Sequence, residues 1–147
     1  MKQNPMHSFS KLFSILSSTI LFGGLALLLS DCFLKQDRTT IIYGTVTDQN
    51  GQPVDSILVI ADGVQGFKYE TLKKTYSDDE GKYEIVIEPA KRYSAVDTGI
   101  PFNTSENSKF MRSYLDYYSK ENGVRTGTCC PATIGKKTKY DFQLIPK

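Results

Sequence analysis

Two stretches of this sequence carry the same punctuation. Asp48-Gln49-Asn50-Gly51 ends an alternating run, Ile41 to Thr47, and Asp78-Asp79-Glu80-Gly81 opens another, Lys82 to Glu88. Both runs are rich in β-branched and aromatic residues, which suit a pleated, half-buried surface. Aspartate accepts hydrogen bonds from the backbone just ahead of it, and glycine takes a positive φ without steric penalty. Pro53 has no amide to donate, so it belongs at the start of a strand rather than its middle. Asp48, Gly51, Pro53, Asp78 and Gly81 therefore read as turn residues, and a chain that turns back in this way at short intervals is all-β.

The rest of the chain agrees. Val54 to Asp62 has a continuous apolar centre, the mark of a strand buried on both faces. Gly63 to Glu70 reads as a loop, and Thr71 to Ser77 as a polar edge strand. Tyr83, Ile85 and Ile87 alternate with charged or smaller residues. Lys91 to Asp97 is a further strand, and Lys137 to Ile145 closes the sheet with Tyr140, Phe142 and Leu144 on one face. Several short strands between Asp/Gly turns predict a small β-sandwich.

The two turn stretches also resemble a known family. Ile42, Gly44, Val46, Asp48, Gly51, Pro53 and Val54 are similar to the opening of a carboxypeptidase-regulatory-like domain. Thr75, Ser77, Asp78, Gly81, Tyr83 and Ile85 resemble its second half. The resemblance covers about residues 41–88, with a terminal strand at 137–146. It implies a seven-stranded, transthyretin-like sandwich, non-catalytic and without a cofactor, of the kind carried by secreted enzymes, adhesins and outer-membrane receptors. It implies no shared active site, because fold does not fix function.

The N-terminus reads as a targeting segment. Lys2 and Lys11 precede an uncharged run, Leu12 to Ser30, and Cys32 follows it. A basic region, an apolar core and small residues before a processing site make a secretory signal. "LLLSDC", Leu27 to Cys32, resembles a bacterial lipobox through Leu29 and Ser30, with Asp31 departing from the usual small residue. The expected organisation is a lipoprotein signal over 1–31, a tether over 32–40, and the sandwich over 41–147. Cys32 is the lipidation candidate, and the membrane, through that anchor, is the first expected partner. "KQD", Lys35 to Asp37, resembles the surface-export tags of Bacteroidetes lipoproteins, which points to the outer membrane of a cell envelope. An uncleaved spanning helix is the alternative, since the apolar run is close to the length a bilayer needs. An ordinary cleaved signal is another.

Removing the signal leaves about 115 residues, enough for one core, and removes His7, the one histidine. Histidine-dependent nucleophilic catalysis and histidine-ligated zinc are then excluded. From Phe33 onward, 16 basic residues face 15 acidic ones, scattered along the chain. No basic stripe marks a nucleic-acid footprint. The acids at Ser77 to Glu80 lack the spacing of a calcium loop and read as a solvated turn.

Lipidated Cys32 leaves Cys129 and Cys130 as an even pair. They read as a local disulfide or as two loop thiols. A thiol-disulfide or redox-responsive role is the one enzymatic alternative that residue type supports. Between Gly99 and Ile134 the strand pattern breaks. Phe110, Met111, Tyr114, Leu115 and Tyr118 fall at helical spacing, with Ser105 or Ser108 as a cap and Gly123 as a stop. The expectation is a helix-containing insertion at about 99–134, of which Arg112, Tyr114, Tyr117 and Tyr118 are the candidate binding surface for a glycan, a peptide or an envelope protein. The plainer alternative is that the aromatics pack the helix onto the sheet. An accessory role in an outer-membrane transport or secretion complex is the remaining alternative, by family analogy.

Overall fold

The computed structural model describes residues 37–127 and 129–147. The expected signal segment, the lipidation candidate Cys32 and most of the expected tether lie outside the described residues. Among those residues no helix is long and apolar enough to cross a membrane.

Among the described residues, nine strands form two sheets. They are β1 (Thr40–Thr47), β2 (Leu58–Gln65), β3 (Lys68–Tyr76), β4 (Lys82–Ile87), β5 (Ala95–Gly99), β6 (Tyr114–Glu121), β7 (Val124–Thr126), β8 (Pro131–Ala132) and β9 (Lys137–Pro146). One sheet has the order β4-β1-β9-β6-β7 and the other β3-β2-β5-β8. Pairing is antiparallel except for β1 against β9. The core lies between the sheets. Ile42, Val46, Ile85, Phe142 and Leu144 from the first sheet meet Val59, Ala61 and Val96 from the second. Tyr83 stacks on Phe142 at 5.8 Å, and its hydroxyl donates to the Tyr140 carbonyl at 2.7 Å. Burial pushes the Tyr83 phenol well above its ordinary range.

The two Asp-x-x-Gly turns are geometric twins. Asp48 Oδ1 accepts from the amides of Asn50 and Gln52, each at 2.8 Å. Asp78 Oδ1 accepts from those of Glu80 at 3.0 Å and Lys82 at 2.8 Å. Gly51 N donates to Asp48 O, and Gly81 N to Asp78 O. The first turn bends the chain back so that Pro53 faces Thr47. The second carries it from β3 in one sheet to β4 in the other. The acids of Ser77 to Glu80 serve this turn: Asp78 holds backbone amides and Glu80 pairs with Lys82.

The structure corrects four expectations. Seven strands were expected, and nine are present among the described residues; β7 and β8 have three and two residues. The Gly63–Glu70 loop is a hairpin joining β2 to β3. β2 itself starts only at Leu58. The predicted long helix is a single 3₁₀ turn, Ser105–Asn107, followed by a six-residue helix α1 (Ser108–Ser113). Tyr114 to Glu121 instead forms β6, which pairs with β9 from Tyr114↔Pro146 to Glu121↔Tyr140. The expected insertion thus supplies an interior strand of the larger sheet. Helical spacing lost because three tyrosines in "YLDYYSKE" suit a strand, and because the free edge of β9 offers a full ladder of hydrogen bonds.

Candidate functional site

A groove opens where the two sheets end in short strands, β7 in one and β8 in the other. It holds about 560 Å³ and is lined by Phe102, Asp116, Tyr117, Tyr118, Ser119, Arg125, Thr126, Gly127 and Cys129. Strand alternation assigns its two tyrosines to different faces. Tyr117 is half-buried and packs into the core, edge-on to Phe142 at 5.2 Å. Phe102 lies parallel to it at 5.5 Å, with an interplanar angle of 16°. The Tyr117 hydroxyl accepts from the Ile100 amide at 3.4 Å. Burial raises the Tyr117 pKa above the usual phenol value, and the amide partly offsets it. Tyr118 points outward, with the Arg125 guanidinium 3.7 Å from the centre of its ring. Such a stacked cation contributes roughly 0.5–1 kcal/mol at an exposed site. Phe102 and Tyr118 remain 43% and 41% exposed, so part of each ring is left open on the groove.

Two connections set this geometry. Asn122 and Gly123 have φ of 48° and 86° and link Glu121 to Val124, which are paired across the hairpin. Positive φ at both central residues is the tight turn that Asn-Gly favours. This turn places Arg125 beside the β6 tyrosines. Phe102 is positioned by Asn107, which is fully buried. Its side chain accepts from Leu58 N at 3.1 Å and donates to Pro101 O at 3.0 Å.

Behind Tyr117 and Cys129 lies a smaller cavity of about 150 Å³, lined also by Asp62, Asp97 and Thr98. Asp62 and Asp97 face each other across β2 and β5. Asp97 Oδ1 accepts from the Cys130 amide at 2.9 Å and from its neighbour Thr98 N at 3.1 Å. Asp62 Oδ1 is buried without a hydrogen-bond partner among the described residues. Cys129 and Cys130 are joined to each other by a disulfide. Cys130 is buried in the core, whereas Cys129 is exposed on the groove.

The structure thus gathers Tyr117, Tyr118 and Cys129 into one place and separates the other candidates. Tyr114 is half-buried against Phe110, 6.1 Å between ring centres, and belongs to the packing of α1. Arg112 is exposed on α1, away from the groove. Phe102, Arg125, Asp62 and Asp97 join the region without having been singled out in the sequence. The Asn122-Gly123 pair was the available signal for the β6–β7 hairpin and hence for Arg125. No family model, curated protein or solved structure matches this chain.

Proposed function

We propose that this chain is an envelope lipoprotein, tethered to the outer membrane through Cys32, whose sandwich is a non-catalytic module that binds a glycan. The observation that carries the binding role is the open groove holding Phe102, Tyr118 and Arg125. Sugar rings present apolar C–H faces that stack on aromatic rings, and their hydroxyls bond to groups such as Asp116 and Arg125. The anchoring role is supported by the lipobox-like segment ending at Cys32. The sandwich supports a carboxypeptidase-regulatory-like, transthyretin-like assignment: seven of its strands have five or more residues, and the other two are short edge pieces.

A glycan array tests the binding reading. Tyr118→Ala and Arg125→Ala should each lower binding roughly tenfold, the loss of about 1.4 kcal/mol of stacking or charged hydrogen bonding. No signal above an unrelated sandwich would remove it. A thiol-disulfide role is favoured by one observation, the exposed Cys129 facing the groove. Thiol titration during mild reduction tests that role, and a pair that stays unreactive while the chain is folded removes it.

A further inference from the structure

The β2–β3 hairpin turns at Gly66 and Phe67, between the paired residues Gln65 and Lys68. Gly66 has φ of 61°, as a two-residue turn with glycine in its first central position requires. That turn projects Phe67 outward, and the side chain is 103% exposed. Tyr69, on the same hairpin, is 63% exposed. A lone exposed phenylalanine is ordinary. Here two further observations meet at the same end of the sandwich.

The first is where the chain comes in. The start of β1 faces the end of β4, Thr40↔Ile87, and the start of β5 faces the end of β2, Ala95↔Val64. Arg38 clasps the connection between them, donating to Pro89 O at 2.9 Å, Ala90 O at 3.2 Å and Tyr93 O at 3.0 Å. Tyr93 and Arg92 bond in turn to Glu70, three residues past Phe67 and near the hairpin tip. Asp37 and the Phe67 tip therefore share one pole. Cys32 precedes Asp37 by five residues, a reach of at most about 18 Å.

The second is charge. The connections at this pole carry Arg38, Lys68, Lys91, Arg92, Lys136 and Lys137, six cations, against three anions, Asp37, Glu70 and Glu88. A basic rim around an exposed aromatic tip suits the interface of an anionic bilayer.

We infer that the β2–β3 hairpin tip, Phe67 with Lys68, seats in an anionic lipid surface as a second membrane contact beside the Cys32 anchor. This rests on the tethering reading above. The two or more chains of a lipoprotein Cys32 anchor stably but leave the domain free to swing, and added aromatic and basic contacts orient it at the surface. The twin turns at Asp48 and Asp78 lie at the far pole. Phe102, which follows the end of β5, also lies toward that far pole.

The chain contains no tryptophan, so one introduced indole reports alone. Full-length Phe67→Trp, and Leu115→Trp as a control at an exposed site toward the far pole, are placed with vesicles of phosphatidylcholine alone or mixed with phosphatidylglycerol. The intact mass of each sample is recorded. The expected result is a blue-shifted Phe67→Trp emission on the anionic vesicles, quenched by brominated lipid, with Leu115→Trp unchanged. Lys68→Glu should weaken the effect by at least about fivefold. A solvent-like Phe67→Trp emission in a chain whose mass shows acylated Cys32 overturns the inference and leaves the anchor standing. An unacylated chain whose Phe67→Trp still shifts removes the anchor and keeps the tip contact. An unacylated chain with no shift overturns both.

Discussion

Replacing Gly81 with alanine should destabilise the domain about three times as much as replacing Gly51, although the two glycines hold equivalent places in twin turns. Both have positive φ, 80° at Gly51 and 72° at Gly81. An alanine there costs about 1–2 kcal/mol of left-handed strain, offset by about 0.4–1 kcal/mol from a stiffer unfolded chain. A Cβ at Gly51 meets nothing within 4 Å. The expected loss for Gly51→Ala is therefore about 1 kcal/mol. A Cβ at Gly81 would stand 2.5 Å from the Val46 carbonyl oxygen and 3.1 Å from the Pro53 Cβ. The neighbouring backbone must shift, at about 1 kcal/mol, the low end of the cost of an overpacked site. The shift also loosens the 2.7 Å bond from Val46 N to Gly81 O, for about 1 kcal/mol more. The sum for Gly81→Ala is about 3 kcal/mol. At about 4 °C per kcal/mol for a domain of this size, melting should fall about 4 °C for Gly51→Ala and about 12 °C for Gly81→Ala. Urea unfolding followed by far-ultraviolet circular dichroism measures both variants on one scale. Equal losses would refute the argument, because they would mean that turn conformation alone sets the cost. Asp48→Ala and Asp78→Ala serve as the matched pair, since each carboxylate accepts two amides.

Asn107→Leu should cost about 2–4 kcal/mol, because it leaves Leu58 N and Pro101 O without their buried partner; a melting point within 2 °C or so of the parent would contradict that. Asp62→Asn should raise stability by up to about 1 kcal/mol by removing a like charge directly across from Asp97, which urea midpoints would register. Stability should also fall at high pH. Burial pushes the Tyr140 phenol up to about 12 and raises Tyr83 as well. Phenols raised in the folded state contribute stability that is complete below the unfolded pKa near 10 and is lost as pH climbs through the folded value. Urea midpoints should thus hold steady to about pH 9 and decline from about 10 to 12. Tyr140→Phe should flatten that decline, and an unchanged slope would count against the assignment.

The parts of this protein legible in its sequence are those that depend on residues close together in the chain. Asp48 with Gly51 and Asp78 with Gly81 specify their turns through bonds reaching no more than four residues. Period-two alternation marks β1, β4 and β9 because one face of each is buried and the other wet. The largest overturned reading depended on a distant partner. Tyr114 to Tyr118 carry helical spacing and strand-forming residues together, and the unpaired edge of β9, some thirty residues on, decides between them. The groove has the same origin. Phe102, Tyr118, Arg125 and Cys129 come from four separate connections or strands, and only the meeting of two sheet edges brings them within reach of one ligand. The same holds for the pole that gathers Arg38, Phe67 and Lys136. The sequence by itself determined that the chain turns often and buries alternating faces; the tertiary structure alone decided which strand ends share a pole, since that follows from sheet order and register rather than from any local preference.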